Sequence, residues 1–563
     1  MTSSDHQLNS QILGSLPVVN SFLERLGVNR LLDDAVPADP RSHLPPALVL
    51  GVVLRSVIEE RMPLYALREW VAERDPTLLG LPDPDAAALL NDDRVGRALE
   101  RLFDADRAKL QTAIVVQAIR KFNIDCSEFH NDSTSLTFAG NYRAADGGMR
   151  RGQPTAKITF GHNKDHRSDL KQLLWILTVS ADGAVPVHYS VEDGNTADTE
   201  THIDTWNLLQ QLAGRPDFLY VADSKLCTHD NMAHINREHG RFLTILPRTR
   251  SEDATFREWI QTHTPEWQMI RQDVGRDGQP DAYFMVEAPW PSGEGFRVAW
   301  VLSSAKARHD ADSRQSRIAQ ASGRLDALRE RLLSPKARIR TREGADDVAR
   351  AILRETDTAD WFTVRLGENT EHRYRQTVRG RPGASTTYRR DDHTRILLTW
   401  EVREDRVAND AKADGMFPLI TNCRDLALGE LLERYKYQPF LEHRHQQFKS
   451  GLHVTPMWLK NVDRIEGFLF LDFIALLVRS LIEHEIRGRM NDHDITTLPI
   501  YPEHRDCPAP TAERILTIFA PIQRHHLLTN GRLVQNFEPE FNSNQRRLLR
   551  LLDLSPSVYR ATA

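Results

Sequence analysis

With 563 residues, 40% of them hydrophobic and 27% charged, the chain has the composition of a globular protein, long enough for roughly three to four domains. Its formal net charge of −5 excludes a surface that attracts polyanions as a whole, so any nucleic-acid surface has to be a local basic patch. The four cysteines, Cys126, Cys227, Cys423 and Cys507, form no CxxC pair, which argues against a zinc knuckle or a disulfide framework and fits core-filling thiols in a reducing cytoplasm.

The opening MTSSDHQLNSQILGSLP is polar and lacks a basic stretch followed by an apolar run, so no secretory signal is expected. Residues 1–125 are expected to form an all-helical N-terminal domain that could bind DNA ends or serve only as a packing unit. Ile12, Leu16, Val19, Phe22, Leu23 and Leu26 recur at helical spacing up to Gly27, and helices are expected over 45–60 and 64–74. A further stripe through Leu99, Leu102, Phe103, Leu110, Ile114, Ile119 and Phe122 follows the capping residues Asn91 and Asp92.

From about 126 the period changes. SEFHNDSTSLTFAG, LKQLLWILTVSADGAVPVHYSVEDGN and DFLYVADSKL are rich in β-branched and aromatic residues and are expected to be strands, the middle one a hairpin turning at ADGA. Helical stretches precede DFLYVADSKL and the further strand RFLTILPR, so residues 126–250 are expected to form an α/β domain with a mixed sheet. Residues 251–410 resemble an insertion: strand-like pieces, a basic helix over 303–342, and the loop RGRPGASTTYRR. A strand in GMFPLITN and helices through 482 make 411–485 a return to the α/β core, and 486–563 is expected to be a C-terminal helical region, mixed in pattern before its last helix. The most apolar run, GFLFLDFIALLVRSLI (467–482), holds Asp472 and Arg479 and falls short of the about 20 residues of a membrane span. A buried core helix is expected there, and no membrane association.

Two-metal phosphoryl transfer needs carboxylates converging on two divalent cations about 3.5–4 Å apart, and hard cations of the magnesium type take oxygen ligands. Asp132, inside the first strand, and Asp223, ending the apolar run FLYVADS, can meet in one sheet, although an Asp ending a strand is often no more than a turn or cap. Glu442 is the third candidate. In YKYQPFLEHRHQQFK (435–449), Tyr435, Glu442 and Lys449 follow one another at intervals of seven residues, which puts them on one helical face with Gln438. A solvated face would show the same spacing, but this stretch also carries aromatic and apolar residues all round.

That stretch resembles the Y-xx-R-xxx-E-xxxxxx-K signature of DDE transposases from bacterial insertion sequences, with Asp132 in NDSTS and Asp223 in VADS similar to the two aspartates of their triad. The similarity extends through FGHNKDHRSDLKQLLWILTVSADGAVPVHYSVEDGNTADTETH and covers most of the chain in the family's order. It implies an RNase H-like mixed sheet flanked by helices and interrupted by a β-rich insertion, for which the 218 residues between Asp223 and Glu442 leave room. It further implies that Asp132, Asp223 and Glu442 hold two Mg²⁺ (or Mn²⁺) and that Tyr435 and Lys449 contact phosphates of the transposon end. One position departs: the family's Arg is Gln438 here, which can donate to a phosphate but carries no charge. Pro439 predicts that the helix begins near Gln438 or is kinked there.

The span 303–342 holds eleven Lys/Arg against four acidic residues, a surface that could track phosphates or simply be a solvated helix face. RGRPG offers Arg379 and Arg381 to a DNA groove, and GHNKDHRSDLK offers Arg167 and Lys171 to phosphates. His443, His445, His453, His525 and His526 have no zinc spacing and are expected to be ordinary surface or hydrogen-bonded histidines. The resemblance implies a transposase that cuts the ends of an insertion sequence and joins them to target DNA. Its partners are double-stranded terminal inverted repeats and target DNA, bound by at least a homodimer because two ends are paired, in a bacterial cytoplasm at the nucleoid. A transposase-derived repressor without catalysis and an RNase H-like nuclease without strand transfer are the alternatives.

Overall fold

The computed structural model describes residues 6–560 except 37, 39–41, 43, 276–277, 335, 455–458 and 531. The chain forms two compact units, Met1–Thr244 together with Glu433–Ala563, and Ile245–Leu432. The first begins with strand β1 (His6–Ile12) and helices α1 (Leu16–Arg25), α2 (Val28–Ala35), α3 (Pro46–Glu60), α4 (Leu67–Ala72), α5 (Asp92–Asp104) and α6 (Arg107–Phe122). Then come β2 (Glu128–Phe138), the short β3 (Met149–Arg150) and β4 (Gln153–Pro154), β5 (Lys171–Ser180), β6 (Pro186–Glu192), α7 (His202–Ala213), β7 (Leu219–Ala222), α8 (His229–Arg237) and β8 (Arg241–Ile245). The second unit contributes α9 (Ser251–Thr262), β9 (Gln268–Val274), β10 (Pro280–Glu287), β11 (Arg297–Ser303), α10 (Ser304–Leu333), α11 (Arg342–Glu355), β12 (Phe362–Gln376), β13 (Tyr388–Val402), α12 (Glu404–Ala411) and β14 (Met416–Thr421). After α13 (Leu428–Tyr435) the first unit resumes with α14 (Gln438–Gln446), α15 (Val462–Asp492), α16 (Ala512–Phe519), β15 (Gln523–Thr529), β16 (Arg532–Phe537) and α17 (Ser543–Leu551).

In the first unit the strands lie in the order β6-β5-β2-β7-β8. β6, β5 and β2 are an antiparallel meander, while β7 is parallel to β2 and β8 to β7. Nearly every residue of β5 is buried, as the apolar run LLWILTV requires of a strand covered on both faces. The helices before β2 form because their apolar stripes bury: α5 starts on an Asn91 cap that accepts from Arg94 N at 2.9 Å, and Asp92 and Asp93 complement its first turn. The run at 467–482 lies within α15, where every one of its residues is buried, and α15 packs against α3 and α5. No helix among the described residues is long and apolar enough to cross a membrane. Cys227, Cys423 and Cys507 are buried and Cys126 is half-buried, and none of the four is in a disulfide.

The second unit holds an antiparallel sheet, β14-β11-β10-β9, and a two-stranded ribbon of β12 and β13. At the base of the ribbon Phe362, Ile396 and Leu398 join Leu325, Leu328, Leu332, Ile352 and Trp361 in one apolar core.

Four local expectations change. His6–Ile12 is a strand, not helix, because it pairs with β15 near the far end of the chain. The last residues hold the β15–β16 hairpin as well as helices. The basic helix stops at Leu333: Ser334, which precedes a proline in the sequence, is extended (φ −63°, ψ 139°), as a residue before proline prefers, and a new helix starts on the Thr341 cap. Part of the loop RGRPGASTTYRR is strand, since Tyr388, Arg389 and Arg390 pair with Gln376, Arg375 and Tyr374.

Candidate active site

Asp132 and Asp223 are brought together by strand register. β2 and β7 are parallel with Asn131 opposite Ala222, so the next residues along, Asp132 and Asp223, emerge side by side. Asp132 sits inside β2, whereas Asp223 follows the last residue of β7 and caps a short 3-10 turn, accepting from Lys225 N at 3.0 Å. Its backbone carbonyl also accepts from Thr244 Oγ1 at 2.6 Å. Burial and then the negative charge of Asp132 push the Asp223 carboxyl above its usual pKa, with Asp198 adding to the effect. A carboxyl held above its usual range by neighbouring carboxylates is what a cation site needs.

Asp132, Asp223 and Asp198 line one small cavity, of about 10 Å³, with Asn131, Ser133 and His202. That is about the space of a single water or ion. Ser133 Oγ donates to Asp198 Oδ2 at 2.8 Å. The Lys164 ammonium lies 3.3 Å from Asp132 Oδ1 and 3.3 Å from Asp198 Oδ2, and donates to Ser133 O at 2.7 Å and Ser133 Oγ at 2.6 Å. Burial opposes its charge, but Asp132, Asp198 and Asp223 outweigh burial and raise its pKa. Among the described residues no three His, Cys, Asp or Glu side chains converge closely enough to hold a metal ion as they stand.

The stretch 435–449 is not one helix. α13 ends at Tyr435, α14 restarts at Gln438 with Pro439 in its first turn, and Gln447–Gly451 is a single π-helical turn. The proline has no N–H to lose in a first turn, so the chain breaks there rather than continuing one polar face, and Lys449 falls on the π turn. Tyr435 nevertheless stays within electrostatic reach of the aspartates and of Glu442. Burial pushes the Tyr435 hydroxyl up to about 12, with Asp223, Glu442 and Asp132 contributing in that order. Glu442 is exposed on α14, which packs against β2. Gln438 Nε2 is buried with no hydrogen-bond partner. Lys449 is paired with Asp165, Nζ to Oδ2 at 2.8 Å.

Two of the other basic candidates are engaged elsewhere, and two belong to the second unit. Arg167 pairs with Asp169 at 2.8 Å, and Lys171 Nζ donates to Asn141 O at 2.6 Å. Arg379 and Arg381 are exposed at the tip of the β12–β13 ribbon in the second unit. Sequence reasoning passed over three residues that the fold draws into the centre: Lys164, Asp198 and His445. His445, expected to be an ordinary histidine, is 6% exposed and lies 3.8 Å from Asp132 Oδ2 through Nε2. Burial pushes its pKa down to about 4, and neither ring nitrogen has a hydrogen-bond partner. The one available signal was its place three residues after Glu442, one turn along the same face.

Residues 8–116, from within β1 to within α6, match the family model described as "Domain of unknown function (DUF4277)". No curated protein sequence matches the chain. Among solved structures, the chain is similar to a piggyBac transposase synaptic complex with hairpin DNA, determined by cryo-EM, with a TM-score of 0.40 at 6% identity over 91% of this chain and 82% of that one.

Proposed function

We propose that the protein is a DDE transposase of the insertion-sequence type, which cuts DNA at the ends of its element and joins them to a target in a divalent-metal-dependent reaction. The observation that carries the reading is the side-by-side emergence of Asp132 and Asp223 from parallel strands, with Tyr435 within electrostatic reach of both and of Glu442. The sheet order, three antiparallel strands followed by two parallel ones on the far side of β2, supports an RNase H-like core. The first unit would then be the catalytic part with its end-binding helices, and the second the insertion.

The donor set suits Mg²⁺ or Mn²⁺: the groups are carboxylate oxygens, and the mutual repulsion at Asp132 and Asp223 is relieved by a cation. Asp132, Asp223 and Glu442 would hold two such ions. When bound, the ions supply activation of water, later of the freed 3′-hydroxyl, and stabilisation of the leaving oxygen. The protein groups around them position DNA. Tyr435, with its hydroxyl pKa near 12, stays protonated and donates to a phosphate oxygen. The unpartnered amide of Gln438 donates beside it, replacing a charged contact with a neutral one. Lys449 exchanges Asp165 for a phosphate. Arg379 and Arg381 on the ribbon contact the flanking duplex, and the paired ends require at least two copies of the chain.

The test is to incubate the purified chain with duplex DNA carrying the inverted repeats that flank its gene, with Mg²⁺ or Mn²⁺. Nicked ends and joined products support the proposal. Bound but intact DNA identifies a repressor, and nicked DNA that is never joined to a target identifies a nuclease.

A further inference from the structure

The candidate centre holds a cation of its own. Lys164 Nζ is within 3.3 Å of carboxylate oxygens of both Asp132 and Asp198, and its side chain is 29% exposed. Its backbone N–H donates to Ser135 Oγ at 3.1 Å, so its loop is fixed to the strand that carries Asp132. In the same loop Asn163 Oδ1 accepts from Asp165 N and Arg167 N. We propose that Lys164 is a tethered cation that occupies the Asp132 carboxylate in the resting protein and competes there with a divalent ion. The inference rests on the reading of Asp132 and Asp223 as metal ligands.

Three features carry it. An ion bound to Asp132 would lie within a few ångströms of the ammonium, and in a partly buried site that repulsion is poorly screened. Asp198 provides a second carboxylate for the ammonium on the other side of Ser133, and a lysine's flexible stem lets it change partners. Finally, two nearly buried histidines beside the aspartates have unmatched nitrogens: His202, 3% exposed and lining the cavity, lacks a partner at Nε2, and His445 lacks one at both nitrogens. Buried polar atoms left unmatched call for a further partner, such as an ion or water taken up beside the aspartates. Withdrawal of Lys164 onto Asp198 frees Asp132, so the centre takes up metal poorly until something favours that withdrawal, which restrains it away from DNA.

The experiment is a Mn²⁺ titration of the full chain without DNA, by calorimetry, for wild type, Lys164→Gln, Lys164→Arg and Asp132→Ala. Gln keeps a donor for Ser133 but no charge. The expected result is binding about tenfold tighter in K164Q, within the about 5- to 150-fold range of ordinary couplings between sites, with K164R like wild type. Thermal unfolding in EDTA and in Mn²⁺ gives a second readout: K164Q should gain more from Mn²⁺ than wild type does. Equal affinities in K164Q and wild type, with binding lost in D132A, would overturn the tethered cation and leave the proposed function standing. No Mn²⁺ binding by either wild type or K164Q would overturn both.

Discussion

Replacing Arg444 with methionine should loosen the helix that carries Glu442. The guanidinium is 2% exposed and pairs at 2.7 Å with Glu483, which is 1% exposed. It also donates to Ala184 O at 2.9 Å, Gly183 O at 2.8 Å and Gln447 Oε1 at 2.6 Å, tying α14 to the β5–β6 turn and to α15. Breaking a buried pair by removing one partner costs about 3–5 kcal/mol. Glu483 would keep Ala512 N at 2.9 Å, Gln447 Nε2 at 3.0 Å and Arg487 at 3.4 Å, which places the loss near the lower end, at about 3 kcal/mol. Burial raises the Glu483 pKa, but Arg444 and Arg487 outweigh it and hold the pKa below the usual value. The pair's contribution is therefore present at neutral pH and lost as pH falls through the Glu483 pKa, so the cost of R444M shrinks in acid. Urea unfolding, with hydrogen exchange of the α14 amides to separate the first unit from the second, measures it. The double variant Arg444→Met/Glu483→Met should recover most of the loss, since the one charge it leaves without Glu483, Arg487, is partly exposed. A loss below about 1 kcal/mol, the value of an exposed pair, or no recovery in the double variant, would refute the reasoning.

Asp472, buried in α15 with Arg61 at 3.2 Å, is pushed by burial from 3.8 to about 6, with Arg61 offsetting only part of the effect. The unfolded chain ionises first, so its stabilising contribution is full below about pH 4 and lost as pH rises through about 6. At about 1.4 kcal/mol per pK unit, D472N should differ from wild type by about 3 kcal/mol more at pH 7 than at pH 4 in paired urea titrations, with the variant favoured at the higher pH. Gly194→Ala should destabilise by at least the about 1–3 kcal/mol of an overpacked core, because its Cβ would stand 2.0 Å from Gln172 O and 2.7 Å from Thr159 O; an unchanged unfolding midpoint would contradict that packing. On the ribbon, Arg379→Ala/Arg381→Ala should weaken DNA binding and flatten the log affinity against log salt plot by about 2, at about 0.9 per phosphate contact. An unchanged slope would remove the ribbon tip from the interface.

The strands of the candidate site were legible where burial on both faces gives β5 and β7 continuous apolar runs, and the apolar run in FLYVADS ends where β7 ends. The buried character of 467–482 was legible for the same reason. Helical period failed at 435–449, where a proline restart and a π turn rotate Lys449 off the face that an uninterrupted helix would give it. Lys164 and Asp198 could not be found by spacing, since they meet Asp132 only through the closure of loops whose geometry depends on the whole sheet. β1 is exposed and mostly polar, so neither period marks it, and its partner lies near the other end of the chain.

We propose that Asp132, Asp223 and Glu442 act as one divalent-metal centre on DNA. The most direct measurement is strand nicking at the repeat ends by wild type and by Asp132→Ala, Asp223→Ala and Glu442→Ala, each with Mg²⁺, Mn²⁺ and EDTA, at protein concentrations where all four bind the DNA equally. Wild type should nick with either metal and not in EDTA, and every variant should lose nicking without losing DNA binding. Nicking by any of the three variants at the wild-type rate, or nicking by wild type in EDTA, would contradict it.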